Sequence, residues 1–331
     1  MPTEFKQFDI ICSTYEDTSD HHYVWPSYSL SPSATKKITK EWRILEKNLP
    51  DSIFVRVYEG RVVDLLRAVI IGPEGTPYHD GLFFFDIQVP SDYPASPPKV
   101  HYRSFGYDLN PNLYSGGKVC LSLLNTWPGD NEKQNWNPSQ STILQVLLSI
   151  QALVLNAKPL FNEPLYDLFS DSRPWVKKRS LRYNEKVFIK SCKTMVSLLN
   201  SPPKSFGEFV SQHFRNRAST ILVAFNAYIN GQANIGDPIT TTVAPEISSF
   251  TSVDFKMEAA IQYPKLVESF IRNGSSLESM ELLDTSKNMR KELARYQQEE
   301  RDRLEKRICQ LVVVGVPLLL IAVFCVKKYV L

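Results

Sequence analysis

The spacing of apolar residues changes from a helical to an extended pattern along the first 110 residues. Apolar side chains recur every three or four residues from 35 to 49, and Pro50 ends this first predicted helix. Segments rich in Val, Ile, Leu and Phe follow, separated by turn-forming residues. They lie at 53–59, 65–71, 82–89 and, after a proline-rich stretch, 100–102. This order predicts a four-stranded antiparallel meander.

The helical period returns in the second half of the chain. From 141 to 155 the apolar positions cover most of the circumference of a helix, which predicts a helix that is largely buried. Residues 183–229 carry apolar side chains at the spacing of two or three amphipathic helices. A helix, four strands, an irregular stretch and further helices together predict an α+β fold.

Composition divides the chain into successive parts. A polar and aromatic N-terminal extension, 1–30, precedes the patterned domain, 31–229, whose last part is a helical extension. Residues 230–252 are rich in Gly, Pro, Thr and Ser and predict a linker. Residues 253–307 predict a helical stalk, because their last part carries many charges of both signs beside apolar residues at helical spacing.

One segment departs from the pattern of a globular protein. Residues 308–326 contain no charge, and a helix of that length spans roughly 28 Å at about 1.5 Å per residue. A buried core helix is the alternative, but this segment has no polar stripe. Seven basic residues precede the segment within twenty positions and two follow it in the tail, 327–331, which favours a cytosolic N-terminal side. We therefore expect a single-pass membrane anchor.

The position of this anchor suggests a cellular location. Because it lies so near the C-terminus, the chain resembles tail-anchored proteins, which are inserted after translation. We expect the patterned domain, 31–229, to face the cytosol and the membrane to be that of the endoplasmic reticulum, with the mitochondrial outer membrane as the alternative.

Charge and cysteine content exclude several classes of protein. The 331 residues carry 38 Lys and Arg against 35 Asp and Glu, so the net charge of +3 gives no global basic field for nucleic acid. The five cysteines form no CxxC pair and lie apart from the few histidines. A zinc site and a disulfide framework are therefore not expected.

The irregular stretch from 109 to 124 is the place where chemistry is expected. It holds Cys120 among Asn, Gly and Lys residues, and a cysteine on such a loop is more accessible and more nucleophilic than one in a core. Most free cysteines, however, are small buried hydrophobic residues. Composition alone leaves both interpretations open.

Five ordered motifs carry a resemblance to a known family. They are Pro73-Glu74-Gly75-Thr76-Pro77-Tyr78 with Gly81-Leu82-Phe83, Tyr93-Pro94 with Pro97-Pro98, Pro111-Asn112, Gly117-Lys118-Val119-Cys120-Leu121, and Trp136-Asn137-Pro138. In this order they resemble the ubiquitin-conjugating enzyme family. The runs at 78–86 and 110–114 are most similar to its large hybrid branch of conjugating enzyme and ligase. The resemblance covers roughly residues 35 to 175.

The resemblance implies a fold, an activity and three site residues. The fold is the ubiquitin-conjugating (UBC) fold, and no metal or cofactor is implied. Cys120 matches the cysteine that takes ubiquitin as a thioester from an activating enzyme and passes it to lysines of protein substrates. Asn112 matches the asparagine that stabilises the oxyanion or orders the loop. Glu163 falls near a residue that gates the incoming lysine. A ubiquitin ligase is a further candidate partner.

Three departures from the family pattern bear on function. Asn110 replaces the histidine of the usual His-Pro-Asn triplet, as in the hybrid branch. A polar insertion at 125–133 follows the cysteine and is expected to overhang it. Ala95 stands where many members present an aromatic residue to RING-type ligases, so dependence on such partners is doubtful.

Two alternatives to this activity remain at this point. One is a catalytically inactive variant that binds ubiquitin or acts as a scaffold, which the presence of both Cys120 and Asn112 disfavours. The other is transfer of a different ubiquitin-like modifier.

Overall fold

The computed structural model describes residues 5–12, 18–23, 32–59, 64–127, 135–164, 166, 173–237 and 251–277, with single residues and short runs between 284 and 305. Its strands are β1 (Phe8–Cys12), β2 (Ile53–Glu59), β3 (Leu65–Ile71), β4 (Leu82–Gln88) and β5 (Lys99–Tyr102). Its helices are α1 (Pro32–Asn48), α2 (Ile143–Ser149), α3 (Pro174–Asn200), α4 (Gly207–Ile229) and α5 (Val253–Arg272).

The sheet has five strands in the order β1-β2-β3-β4-β5, which corrects the predicted four-stranded meander. The predicted strands form β2 to β5 and pair antiparallel. The additional strand, β1, comes from the N-terminal extension and pairs parallel to β2, with Phe8 opposite Val55. A parallel pair requires a long crossover connection, and α1 lies between these two strands in the chain.

Both faces of the sheet are covered, and strand alternation decides which core each residue joins. Even-numbered residues of β3, such as Leu66 and Ala68, join a first core with α1 and α2. Val69, on the opposite face, joins a second core with Leu82, Phe84 and side chains of α3, α4 and α5. The strands are therefore apolar on both faces.

The predicted helix at 141–155 begins with a capping box. The Thr142 hydroxyl accepts from the Gln145 backbone N–H, and the Gln145 side chain accepts from the Thr142 N–H. The α-helical part, α2, ends at Ser149, and Ile150–Val154 continue as a π-helix. The prediction of a helix is confirmed in position, while its change of winding is a finding of the structure.

The part of the predicted stalk at 253–272 forms α5, whose apolar face packs against α3 and α4. Phe255 and Tyr263 lie beside Phe225 of α4, with ring centroids 6.1 and 5.3 Å away. The Ser252 side chain caps α5 and also bonds to Glu185 of α3. This helix therefore belongs to the second core.

A buried ion cluster ties the N-terminal extension to the sheet. Arg67 of β3 is fully buried and contacts its cross-strand neighbour Asp86, with Nε 2.6 Å from Oδ1. Its Nη1 also donates to Asp20 at 2.9 Å. Asp20 belongs to residues 18–23, which we call the N-terminal strap. The strap therefore lies over the second face of the sheet, where the Asp20 carboxylate also accepts from the Lys204 N–H in the connection between α3 and α4.

The expected location in a membrane has to be corrected. Among the residues that the structure describes, no helix is both long enough and apolar enough to cross a bilayer. The predicted anchor, 308–326, and the tail, 327–331, lie outside the described residues. The anchor was predicted from the apolar length of the segment and from the basic residues that flank it. We therefore withdraw the tail-anchored assignment to the endoplasmic reticulum or the mitochondrial outer membrane.

Candidate functional site

The loop between β5 and α2 brings Cys120 and Asn112 together. The Cys120 backbone N–H donates to the Asn112 carbonyl at 2.9 Å, and the Asn112 side-chain amide donates to the Cys120 carbonyl at 2.9 Å. The bridge between Leu113 and Val119 joins the two arms of the loop between these residues. Both side chains are largely buried, Cys120 at 2% exposure. The thiol is therefore held at a defined position.

Asn110 connects this loop to the end of the π-helix Ile150–Val154, which continues directly from α2. Its side-chain amide donates to the Tyr78 hydroxyl at 2.9 Å and to the Val154 carbonyl at 2.8 Å. Its oxygen accepts from the Asn112 N–H at 2.8 Å and from the Asn162 amide at 3.0 Å. All four hydrogen-bonding positions of the amide are thus used. Asparagine therefore fills a structural role at this departure from the family triplet.

Tyr114 lies beside the Cys120 thiol, at the exposed side of the loop. The pKa of the Tyr114 phenol is raised, mainly by the neighbouring Cys120. Partial burial and the Glu163 carboxylate raise it further. Tyr114 is 45% exposed, so an incoming group would meet it. Glu163 is thus close enough to Tyr114 to raise the pKa of its phenol, although the two residues are distant in the chain.

Glu163 directly follows the short 3₁₀ turn Pro159–Asn162. Its side chain is exposed, and its backbone N–H donates to the Leu160 carbonyl at 3.2 Å. The preceding residue, Asn162, bonds to Asn110. The position of Glu163 is therefore tied to the cysteine loop through two asparagines.

Trp136 packs against the proline-containing turn after β4. Its Nε1–H donates to the Pro94 carbonyl at 2.8 Å, and its ring lies 5.7 Å from that of Tyr93. The neighbouring Ala95 is exposed. Of the predicted insertion, 125–127 are described and 128–133 lie outside the described residues.

A groove of about 520 Å³ opens beside the residues that lead into the cysteine. Lys118, Val119 and Leu124 line it, together with Tyr23 of the N-terminal strap. In the described part of the chain, no group of three or more His, Cys, Asp or Glu side chains is placed to hold a metal ion.

Sequence reasoning did not identify Tyr114, Asn162 and Tyr78 as residues of the site. Tyr114 was visible in the motif at 110–114 but has no chemical signature of its own. Asn162 and Tyr78 reach the site only through tertiary contacts with Asn110. Spacing along the chain carries no signal for such contacts.

Comparison with known proteins agrees with this geometry. The model of the family described as "Ubiquitin-conjugating enzyme" matches residues 37–184, which include the sheet from β2, the cysteine loop and Glu163. The putative ubiquitin-conjugating enzyme E2 38 of Arabidopsis thaliana is 50% identical over 276 residues, covering 82% of this chain and 82% of that protein. The chain therefore belongs to the ubiquitin-conjugating enzyme family.

Two further relatives are matched over only a small part of their own length. The probable ubiquitin-conjugating enzyme E2 24 of Arabidopsis thaliana is 48% identical over 276 residues, which are 82% of this chain but 29% of that protein. The human dual conjugating enzyme and ligase BIRC6 is 39% identical over 207 residues, 60% of this chain and 4% of that protein. The hybrid protein is thus less similar than the two plant enzymes. The chain spans less than a third of the length of E2 24.

Proposed function

We propose that the protein accepts ubiquitin as a thioester on Cys120 and transfers it to lysines of protein substrates. In the first step the Cys120 sulfur attacks the thioester carbonyl carbon presented by the activating enzyme, whose thiol leaves. In the second step the lysine nitrogen attacks the same carbon, an amide bond forms, and the C–S bond breaks to restore the thiol. The observation that carries this proposal is the ordered loop in which Cys120 and Asn112 bind each other's backbone.

Asn112 is proposed to order this loop and thereby to position the carbonyl under attack. Its amide hydrogen bonds to the Cys120 carbonyl, while its Oδ1 is buried with no partner among the described residues. To donate to an oxyanion as well, the amide would have to use its second N–H. Loop order is therefore the role that the observed contacts support.

Glu163 is proposed to meet the incoming lysine. Its exposed carboxylate, which is close enough to Tyr114 to raise the pKa of that phenol, would attract the lysine ammonium group and accept a proton as the amine attacks. Because Glu163 stands outside the loop, its loss would slow transfer to lysine without preventing the first step.

The proposed partners are ubiquitin, the activating enzyme and protein substrates. Ala95 offers no aromatic anchor to a RING-type ligase, which supports transfer that depends little on such a ligase. The motif resemblance to the hybrid branch supports the same proposal. A non-catalytic scaffold is disfavoured because the thiol is present and held in place.

The test is to mix the full chain with activating enzyme, ATP and ubiquitin, and to look for an adduct that a reducing agent removes. We expect Cys120→Ser to give an adduct that resists reduction, since an ester forms and transfers slowly to amines. Cys192→Ser serves as the matched control, because that thiol is buried in the second core. A normal adduct on Cys120→Ala would contradict the proposal, and loading of another modifier alone would replace ubiquitin in it.

A further inference from the structure

The N-terminal strap is fixed to the sheet by its first residues. The Asp20 carboxylate accepts from Arg67 at 2.9 Å and from Arg103 at 3.1 Å. The His21 Nδ1 accepts from the Tyr23 N–H at 3.2 Å, so its Nε2 carries the hydrogen and donates to the Leu66 carbonyl at 3.0 Å. Burial lowers the pKa of His21, in keeping with a neutral ring.

The next residue of the strap reaches the strand before the cysteine loop. The His22 ring stacks on the His101 ring of β5, with centroids 3.5 Å apart and planes within 3°. The His22 N–H also donates to the Asp86 carboxylate at 2.8 Å. Asp86 is the cross-strand neighbour of His101. The strap therefore fixes one face of the His101 ring.

The His101 ring in turn lies against Gly117. A Cβ atom added to Gly117 would lie 2.0 Å from the ring carbon Cε1 of His101, and Gly117 has a φ of +84°. His101 also forms a bridge with Lys118, two residues before Cys120. Only a glycine in the left-handed region fits this contact, so the ring and the backbone restrict each other.

From this chain of contacts we infer that His22 is a positioning residue for Cys120, acting through His101 and Gly117. The N-terminal strap lies outside the segment 37–184 that matches the family model. The inference rests on the proposed function, because it assigns the strap a part in holding the reactive thiol.

Two observations support an aromatic contact rather than an ionic one. Burial and the neighbouring His22 lower the pKa of His101 to about 4, so its ring is neutral near pH 7. The rings are parallel at stacking distance. A phenyl ring at position 22 should therefore replace the imidazole, whereas a methyl group should not.

The experiment compares His22→Ala, His22→Phe and Ser19→Ala in the full chain labelled with ¹⁵N-glycine. We expect His22→Ala to move the Gly117 amide resonance and to slow discharge of the ubiquitin thioester to free lysine roughly tenfold, since small displacements at a reacting group are costly. His22→Phe should restore both. Ser19→Ala, which removes a strap contact with Lys204, should change neither.

The outcomes separate this inference from the proposed function. An unmoved Gly117 resonance and an unchanged rate in His22→Ala would overturn the inference, as would a His22→Phe variant as slow as His22→Ala. If the unaltered chain forms no thioester, the proposed function fails. The Gly117 resonance in the same variants still decides whether the strap positions the loop.

Discussion

At the scale of single residues, Asn112 gives the most direct test of how the loop works. Asn112→Ala removes the bond to the Cys120 carbonyl, so we expect lower rates of both thioester formation and discharge, together with a lower melting temperature. Single-turnover assays of the two steps and a thermal melt measure this. Asn112→Asp, which keeps the size but loses the donor, should resemble Asn112→Ala. Loss of discharge alone, with normal loading and stability, would instead assign the amide to the oxyanion.

Arg67 is the residue whose replacement should cost most stability. Arg67→Met leaves the buried Asp86 carboxylate without its main partner, and breaking a buried pair in this way typically costs about 3–5 kcal/mol. The double variant Arg67→Met, Asp86→Leu should recover much of the loss, because no isolated charge remains. Urea denaturation of the three proteins measures the difference. A double variant as unstable as Arg67→Met would show that the guanidinium acts mainly through its other contacts.

At the scale of elements, Asn110 joins the cysteine loop to the π-helix at 150–154. Asn110→Ala leaves the Val154 carbonyl and the Asn112 N–H without their partner, and each unpaired buried group costs about 1–3 kcal/mol. We expect a clear fall in the free energy of unfolding and slower transfer. Asn48→Ala, which removes an exposed bond to the Ile44 carbonyl in α1, is the matched control. Equal effects of the two variants would contradict a special role for Asn110.

The sequence predicted the elements whose signal is local. The bounds of β2 and β3 matched the predicted segments, because both are rich in β-branched, Leu or aromatic residues and end at turn residues. β1 was missed because it has five residues and pairs with a strand more than forty residues away. The π-helix at 150–154 was missed because apolar periodicity does not separate it from an α-helix.

At the candidate site, too, local motifs could be recognised in the sequence, whereas contacts between distant segments could not. Cys120 and Asn112 lie in recognisable motifs, so their positions could be predicted while their roles remain proposals. The contacts of Asn110 with Asn162 and of His22 with His101 join segments that are distant in the chain. The N-terminal strap has no apolar period, since charged and aromatic contacts hold it. Only the folded chain reveals it.

At the scale of the whole molecule, three histidines make stability depend on pH. The pKa values of His21, His101 and His213 are lowered mainly by burial, that of His101 to about 4. Below pH 6.5 the unfolded chain binds protons that the folded chain does not, so the free energy of unfolding falls as the pH falls. We expect the melting temperature to be nearly constant from pH 8 to 7 and to drop between pH 6.5 and 4.

A matched variant identifies the source of this dependence. His213 bonds to the Asp80 carbonyl through Nε2 at 2.8 Å, a contact that a glutamine amide is able to replace. His213→Gln should therefore lose less stability on acidification than the unaltered chain. If the melting temperature instead rises as the pH is lowered from 6.5 to 4, the predicted sign of the effect is wrong.

α5 lies beyond the segment 37–184 that matches the family model, and its apolar side chains join the second core. Phe255, Tyr263 and Phe270 of α5 are buried against α3 and α4, where Phe270 lies 6.0 Å from Phe214. Burying one such side chain is worth about 1.5–3 kcal/mol, and whole domains are stable by only about 5–15 kcal/mol. A chain ending at residue 237 should therefore melt at a lower temperature and bind a hydrophobic dye.

A chain ending at residue 277 is the matched control, because it keeps α5 and its contacts. We expect it to melt close to the full chain, since Met289 is the one buried residue among those that the structure describes beyond 277. The two truncations together decide where the stable unit ends. Equal melting temperatures for the chains ending at 237 and 277 would mean that α5 contributes little, and that the second core is completed by α3 and α4 alone.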